Sequence, residues 1–282
     1  MKIEKLKPTL GAMIRELDIN DLTSSEWDTI YQEFLDHAVL IFPEQHLSKK
    51  EQEGFAMRFG EIEHLTKGAK TTAITNKTPK GVFYEVDSEW SKLLKGNEGW
   101  HTDSSYMSLT AKSSILSAHV VPEMGGETEW ADMRSAYDEL DDRTKQQIEN
   151  LSASHSYFHS QAKIGHHVKV GANYGFADGE VPLHPLVKIH PETGRPALFI
   201  GRHACKIPEF SEQASESLLA RLMSFSCQSP RILTHRWNKG DLVVWDNRCV
   251  LHRARPYAPN QERLMLHTRI KGDRASESAL NI

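Results

Sequence analysis

His101 and Asp103 stand one residue apart in the run Gly99-Trp100-His101-Thr102-Asp103-Ser104-Ser105, and they acquire a joint purpose only if His252 reaches them from far down the chain. On an extended segment a His-x-Asp pair presents both side chains to one face. With a second imidazole it completes a two-His, one-carboxylate facial triad, the donor set that holds Fe(II) and leaves coordination positions open. Such a set constrains the fold, because two distant segments must lie side by side. A jelly roll, in which widely separated strands meet in two facing sheets, does this. The expected class is mainly β with peripheral helices around a double-stranded β-helix core.

The spacing alone is weak evidence, since the chain has 15 histidines and a satisfied core or surface His is the commoner case. His190-Pro191-Glu192 repeats it but continues into Thr193-Gly194-Arg195-Pro196, a polar turn. At 282 residues one large domain or two ordinary ones would fit. No repeat, low-complexity block or Gly/Ser/Pro-rich linker marks a boundary, so a single domain over 1-282 is expected. The net charge of -4 makes no electrostatic case for nucleic acid or an anionic membrane. Cys205, Cys227 and Cys249 are odd in number and lack metal-ligand spacing, which suits free thiols and a cytoplasmic location. The start lacks the apolar core of a secretory signal, and no apolar run approaches membrane-spanning length.

Periodicity predicts a helix capped by Ser24 or Ser25 and running to about His37, with Trp27, Ile30, Tyr31 and Phe34 on one stripe. A buried strand follows at Ala38-Val39-Leu40-Ile41-Phe42, then a helix opened by the Ser48-x-x-Glu51 capping box and stopped by Gly60. The stretch 64–98, rich in Lys, Thr and Gly, reads as a long lid loop. Strands are expected from Ser114 to Val121, over Thr128-Glu129-Trp130, Ala197-Leu198-Phe199-Ile200 and Asp241-Leu242-Val243-Val244-Trp245, and from Leu264 to Thr268. Helices are expected from Met133 to Leu140, Arg143 to Leu151 and Ser211 to Phe225, with 133–180 forming a helical insertion. His119 reads as structural.

Arg263 opens an otherwise apolar strand, where a guanidinium needs a fixed anion. A structural salt bridge answers that need as well as a bound carboxylate does. The blocks Trp100-His101-Thr102-Asp103, Gly125-Gly126-Glu127-Thr128-Glu129-Trp130 and Trp245-Asp246-Asn247-Arg248, followed by His252 and Arg263, resemble in their order the TauD/TfdA family of Fe(II)- and 2-oxoglutarate-dependent dioxygenases. The Gly11 region, His37-Ala38-Val39-Leu40-Ile41-Phe42 and Arg58-Phe59-Gly60 extend the resemblance over nearly the whole chain. It implies iron on His101, Asp103 and His252, and the distal carboxylate of 2-oxoglutarate on Arg263 with help from Thr128. Trp245 is either a wall of that pocket or core. O2 is the other co-substrate, succinate and CO2 are released, and an aliphatic carbon is hydroxylated, with cleavage of the bond when that carbon adjoins a heteroatom. Relatives that transfer halogen carry a small residue in place of the carboxylate, so Asp103 implies hydroxylation. A homo-oligomer is also implied.

Ser114 to Tyr137 and His235 to Arg253 look closer to the 2,4-dichlorophenoxyacetate dioxygenase branch than to the taurine branch, which implies a small anionic substrate resembling an aryloxyalkanoate. A sulfonate or phosphonate is the alternative within the family. Both branches carry a second Arg four residues after the first, yet here that place is His267, a weaker and pH-sensitive anchor. Asn97, Lys67 and Lys70 are the other candidate substrate contacts, whereas Arg269 is expected to lie past the pocket. A Zn(II) hydrolase and a non-catalytic jelly-roll binding module are the alternatives from other classes. No general base stands at motif spacing for the first, and the intact triad argues against the second.

Overall fold

The computed structural model describes residues 1–64, 68–166, 168 and 181–281. Its major sheet has seven strands, in the spatial order Lys2–Lys5, Ala12–Arg15, Val39–Phe42, Leu242–Asp246, Ala111–Val120, Leu264–Lys271 and Thr71–Thr75. All neighbours are antiparallel except Ala12–Arg15 against Val39–Phe42. A facing sheet is built from Ile232–His235, Thr128–Asp132 and Val250–Ala254. Strands from the two ends of the chain thus alternate in space, giving the expected jelly-roll architecture.

Alternation along the central strand divides the core. Leu242 and Val244 face outward, where Ile30, Phe34, Phe55 and Phe59 of the helices Ser24–His37 and Lys49–Phe59 cover them. Val243 and Trp245 face inward against Trp130, Val250 and Leu251 of the facing sheet. The Trp130 and Trp245 rings stand 5.8 Å apart. Burying one such large apolar side chain contributes about 1.5–3 kcal/mol.

Thr23, not Ser24 or Ser25, caps the first helix, because its hydroxyl accepts from the Glu26 N–H while Glu26 reaches back to complete a capping box. The Ser48 and Glu51 box and the Gly60 stop occur as expected. The described residues of 64–98 are not all loop, since they carry the edge strand Thr71–Thr75 and the helix Glu89–Gly96. Within 133–180, the helices Met133–Asp138, Asp142–Ile148 and Tyr157–Ala162 are interrupted by the strand Ser152–His155. His119 is half-buried and meets Ser117 Oγ at 3.1 Å. No described helix is long and apolar enough to cross a membrane.

Asp246 ends the central strand in a buried ion network. Arg248 grips it through Nε at 2.8 Å and Nη2 at 2.7 Å, and His190 Nε2 lies 3.0 Å away. Burial opposes the charge, but Arg248 and His190 outweigh it and hold the carboxyl well below the usual range. Asp246→Asn should therefore cost about 3 kcal/mol at neutral pH, because the buried guanidinium loses its bidentate partner and keeps only the part-exposed Glu192 at 2.6 Å. A depressed carboxyl gives its full contribution above the unfolded value of about 4 and loses it as pH falls, so the gap between variant and native should narrow in acid. Urea unfolding at two pH values checks both; a loss below about 1 kcal/mol would show that the network is not structural.

Candidate metal centre and its cavity

His252 sits mid-strand in Val250–Ala254, and His101 pairs with it directly. The His101 N–H donates to the His252 carbonyl at 3.0 Å, the reverse bond is 2.7 Å, and the rings stand 4.2 Å apart. Asp103 lies not on a strand but in the turn that follows, so the shared face expected from strand geometry is produced by a pinned turn. Thr102 Oγ1 donates to the Asn247 carbonyl at 2.8 Å, and Trp245 Nε1 donates to Asn247 Oδ1 at 2.9 Å.

Two cross-strand neighbours then hold the Asp103 carboxylate from either side. Ser114 Oγ donates to Oδ2 at 2.7 Å and Arg269 Nη2 to Oδ1 at 2.8 Å; Ser114 and Arg269 are direct partners in the major sheet. One ligand atom from each of His101, Asp103 and His252 lies within 4.8 Å of the others, and all three residues are buried. The Gly99 carbonyl lies 2.8 Å from His101 Nδ1. A carbonyl only accepts, so Nδ1 bears the hydrogen and Nε2 keeps a lone pair, the usual arrangement of a metal-binding imidazole.

Electrostatics favour the ligating forms. Burial pushes His101 down to about 4 and, with His101 close by, pushes His252 well below its ordinary value, so both imidazoles are neutral at pH 7. Asp103 stays ionised, its pKa held well below the usual carboxylate range because the Arg269 guanidinium beside it outweighs the cost of its burial. The donor set thus fits a divalent ion. His190, Asp246 and Cys249 also converge, but both Asp246 oxygens are held by Arg248 and burial pushes the Cys249 thiol up. That group is structural.

Thr128, Trp245 and Arg263 line the same cavity as His101, Asp103 and His252, with Asn97 and His267. Arg263 is buried, donating from Nη2 to the Gly126 carbonyl at 3.3 Å. Among the described residues no carboxylate supports its charge, and burial draws its pKa down with only the Tyr257 hydroxyl opposing. The salt-bridge explanation of this residue is therefore not met. The Gly126 position, at φ 71°, favours glycine, since a side chain there would be strained and its Cβ would come 3.0 Å from Pro122 Cγ and 3.2 Å from Arg263 Nε. Thr128 Oγ1 accepts from Trp237 Nε1 at 2.9 Å, which leaves its own hydrogen to donate.

Tyr106, Tyr157, Gln161, Arg202, His203 and Arg269 form a second recess that shares His101 and Asp103 with the first. Tyr106 lies 4.8 Å from the rings of both Tyr157 and His203. Arg202 donates to the Ser160 carbonyl at 3.0 Å and to the Gly96 carbonyl. No motif pointed to these residues; the Gly201-Arg202-His203 run after an apolar strand was the available signal. Arg269, expected past the pocket, lines both recesses, because its side chain shares a face with His267 and folds back. His267 stacks on Trp245, 5.9 Å between rings and 8° between planes, with Nε2 3.4 Å from Asp103 Oδ2. Lys70 is exposed and away from the cavity, and Lys67 lies outside the described residues.

The model of the taurine catabolism dioxygenase TauD, TfdA family matches residues 2–269. An (S)-phenoxypropionate/alpha-ketoglutarate-dioxygenase of Sphingobium herbicidovorans is 48% identical over 99% of this chain and 97% of its own. An alpha-ketoglutarate-dependent 2,4-dichlorophenoxyacetate dioxygenase of Cupriavidus pinatubonensis is 36% identical over 89% of this chain and 91% of its own. Among solved structures, AAD-2 in complex with Mn(II) and N-oxalylglycine superposes with a TM-score of 0.88 at 34% identity, covering 97% of each chain.

Proposed function

The chain belongs to the TauD/TfdA family of 2-oxoglutarate-dependent dioxygenases, and from that premise we propose that His101, Asp103 and His252 hold Fe(II), that Arg263 and Thr128 hold the distal carboxylate of 2-oxoglutarate, and that the substrate is a small aryloxyalkanoate-like carboxylate. The family displaces the hydrolase and binding-module alternatives. Arg263 is the observation that carries the co-substrate assignment: a buried guanidinium, unsupported by any described carboxylate, in the cavity that the triad also lines. A buried cation of this kind is stabilised by a bidentate carboxylate.

When bound, Fe(II) supplies the oxygen chemistry that couples conversion of 2-oxoglutarate to succinate and CO2 with hydroxylation of a substrate C–H. The chain's own part is placement. Arg263 orients the co-substrate by charge, Thr128 adds a hydroxyl hydrogen bond, and Trp245 walls the cavity beside His252, 4.7 Å between rings. The substrate is read as lying in the second recess, where the Tyr106, Tyr157 and His203 rings suit an aromatic ring. Arg202, which donates to backbone carbonyls, supplies positive charge there, the role for which the sequence suggested His267 and the two lysines. Asn97, at the end of the helix Glu89–Gly96, adds a polar edge between the two recesses. That helix is the part of 64–98 that closes over the site in this reading, on a single domain spanning 1–282. Three cysteines without disulfides suit a reducing cytoplasm.

A succinate-release panel tests the substrate class. Aryloxyacetates and both enantiomers of 2-phenoxypropionate should give oxygen-dependent succinate, with phenol released because hydroxylation beside the ether oxygen leaves an unstable hemiacetal or hemiketal. We expect kcat/KM for the preferred aryloxyalkanoate to exceed that for alkyl sulfonates and phosphonates by about 10²-fold or more, as a polar site built for one anion geometry rejects another. Faster turnover of a sulfonate than of every carboxylate would overturn the assignment.

A further inference from the structure

We propose that Glu63, which touches none of the three metal-binding side chains, is a positioning residue of the metal site and acts on Asp103 through Ser104 and Arg269; the proposal rests on the triad assignment above. Four side chains run in series. Both Glu63 carboxylate oxygens accept from Ser104 Oγ, at 2.9 and 2.8 Å. Arg269 Nη1 donates to the same Ser104 Oγ at 3.2 Å, and Nη2 donates to Asp103 Oδ1 at 2.8 Å. The backbone closes the arrangement, since the Glu63 N–H donates to the Arg269 carbonyl at 2.8 Å.

Ser104 adopts φ 56°, a left-handed conformation that side-chain-bearing residues take at a cost. Glycine would adopt it more readily, but only a residue with a short hydroxyl can bridge Glu63 and Arg269 from this place. The strained turn beside a metal-binding carboxylate therefore has a use.

Charge balance supplies the reason for the series. A guanidinium against Asp103 Oδ1 fixes that carboxylate's orientation and leaves Oδ2 toward His252, 3.7 Å from its Nε2. The same guanidinium competes with a divalent cation for the carboxylate's charge. Glu63, half-buried, offsets Arg269 from the side away from the metal, so the orienting contact is kept while the competition is reduced. Lys271, the other cation near Glu63, is held by Glu61 at 3.2 Å.

The test is metal affinity, read by competition of Co(II) or Mn(II) with a chromophoric chelator in the absence of 2-oxoglutarate and oxygen. Glu63→Gln, which keeps the shape, should weaken metal binding by about 10–100-fold, as loss of an outer partner of a ligand does elsewhere. Ser104→Gly, favoured by the backbone, removes the bridge without strain and should weaken binding in the same direction. In an Arg269→Met background, Glu63→Gln should change the affinity by less than about twofold, because its effect passes through the guanidinium. The relay is overturned if both single variants bind metal within about twofold of the native protein, or if Glu63→Gln acts equally with and without Arg269. Should Glu63→Gln not fold, Ser104→Gly decides. Native protein that binds metal while the variants match it sinks the relay alone, whereas native protein that binds none sinks the triad as well.

Discussion

His101→Ala will abolish the weak visible band that native protein shows with Fe(II) and 2-oxoglutarate in the absence of oxygen, and succinate release with it, and Asp103→Ala will do the same. Each change removes one of the three converging buried donors that the proposed assignment places on the ion. Turnover should fall on the order of 10³-fold or more, since the metal's contribution is several kcal/mol and each 1.4 kcal/mol is tenfold. His101→Ala is the cleaner variant. Asp103→Ala also removes the carboxylate that Arg269 and Ser114 grip, and breaking a buried pair from one side costs about 3–5 kcal/mol of stability. Native protein that gives no band under these conditions would refute the iron assignment.

Arg263→Gln should raise the KM for 2-oxoglutarate by about 10²–10³-fold, because truncating one side of a buried, hydrogen-bonded charge pair costs 2–5 kcal/mol. Metal affinity should hardly change, as Arg263 is not among the residues that touch Asp103, His101 or His252 in the hydrogen-bond network. Arg263→Lys should recover part of the loss, keeping charge without the planar fork. A KM within about threefold of native would mean that the co-substrate's distal carboxylate is held elsewhere.

Much of this site was legible because its members fall in motif blocks whose order along the chain is itself information. Thr128, Arg263 and His252 needed no knowledge of contacts. The strand that carries His252, Val250–Ala254, went unread, because a five-residue run containing His and Arg has too little apolar alternation to register. The edge strand Thr71–Thr75 and the helix Glu89–Gly96 were lost for related reasons: one is polar and the other short and lysine-bearing, and both owe their form to what they pack against. Arg269 was misplaced by counting rise along the strand while neglecting the reach of a long side chain. Glu63 and Ser104 could not be read at all, since their link to Asp103 exists only once residues from opposite edges of the site are brought together.

The backbone exchange between His101 and His252 has a consequence for how the site is formed. In many small metal domains the ion itself draws distant ligands together, and the loop-closure entropy between them comes out of its binding energy. Here a pair of main-chain hydrogen bonds, at 3.0 and 2.7 Å, already sets the spacing of the two imidazoles. The loop between them is closed by the folding of the two sheets, so under the proposed assignment the affinity for metal should report the quality of the donors rather than the work of assembling them, and a chelator should leave a scaffold that keeps its shape.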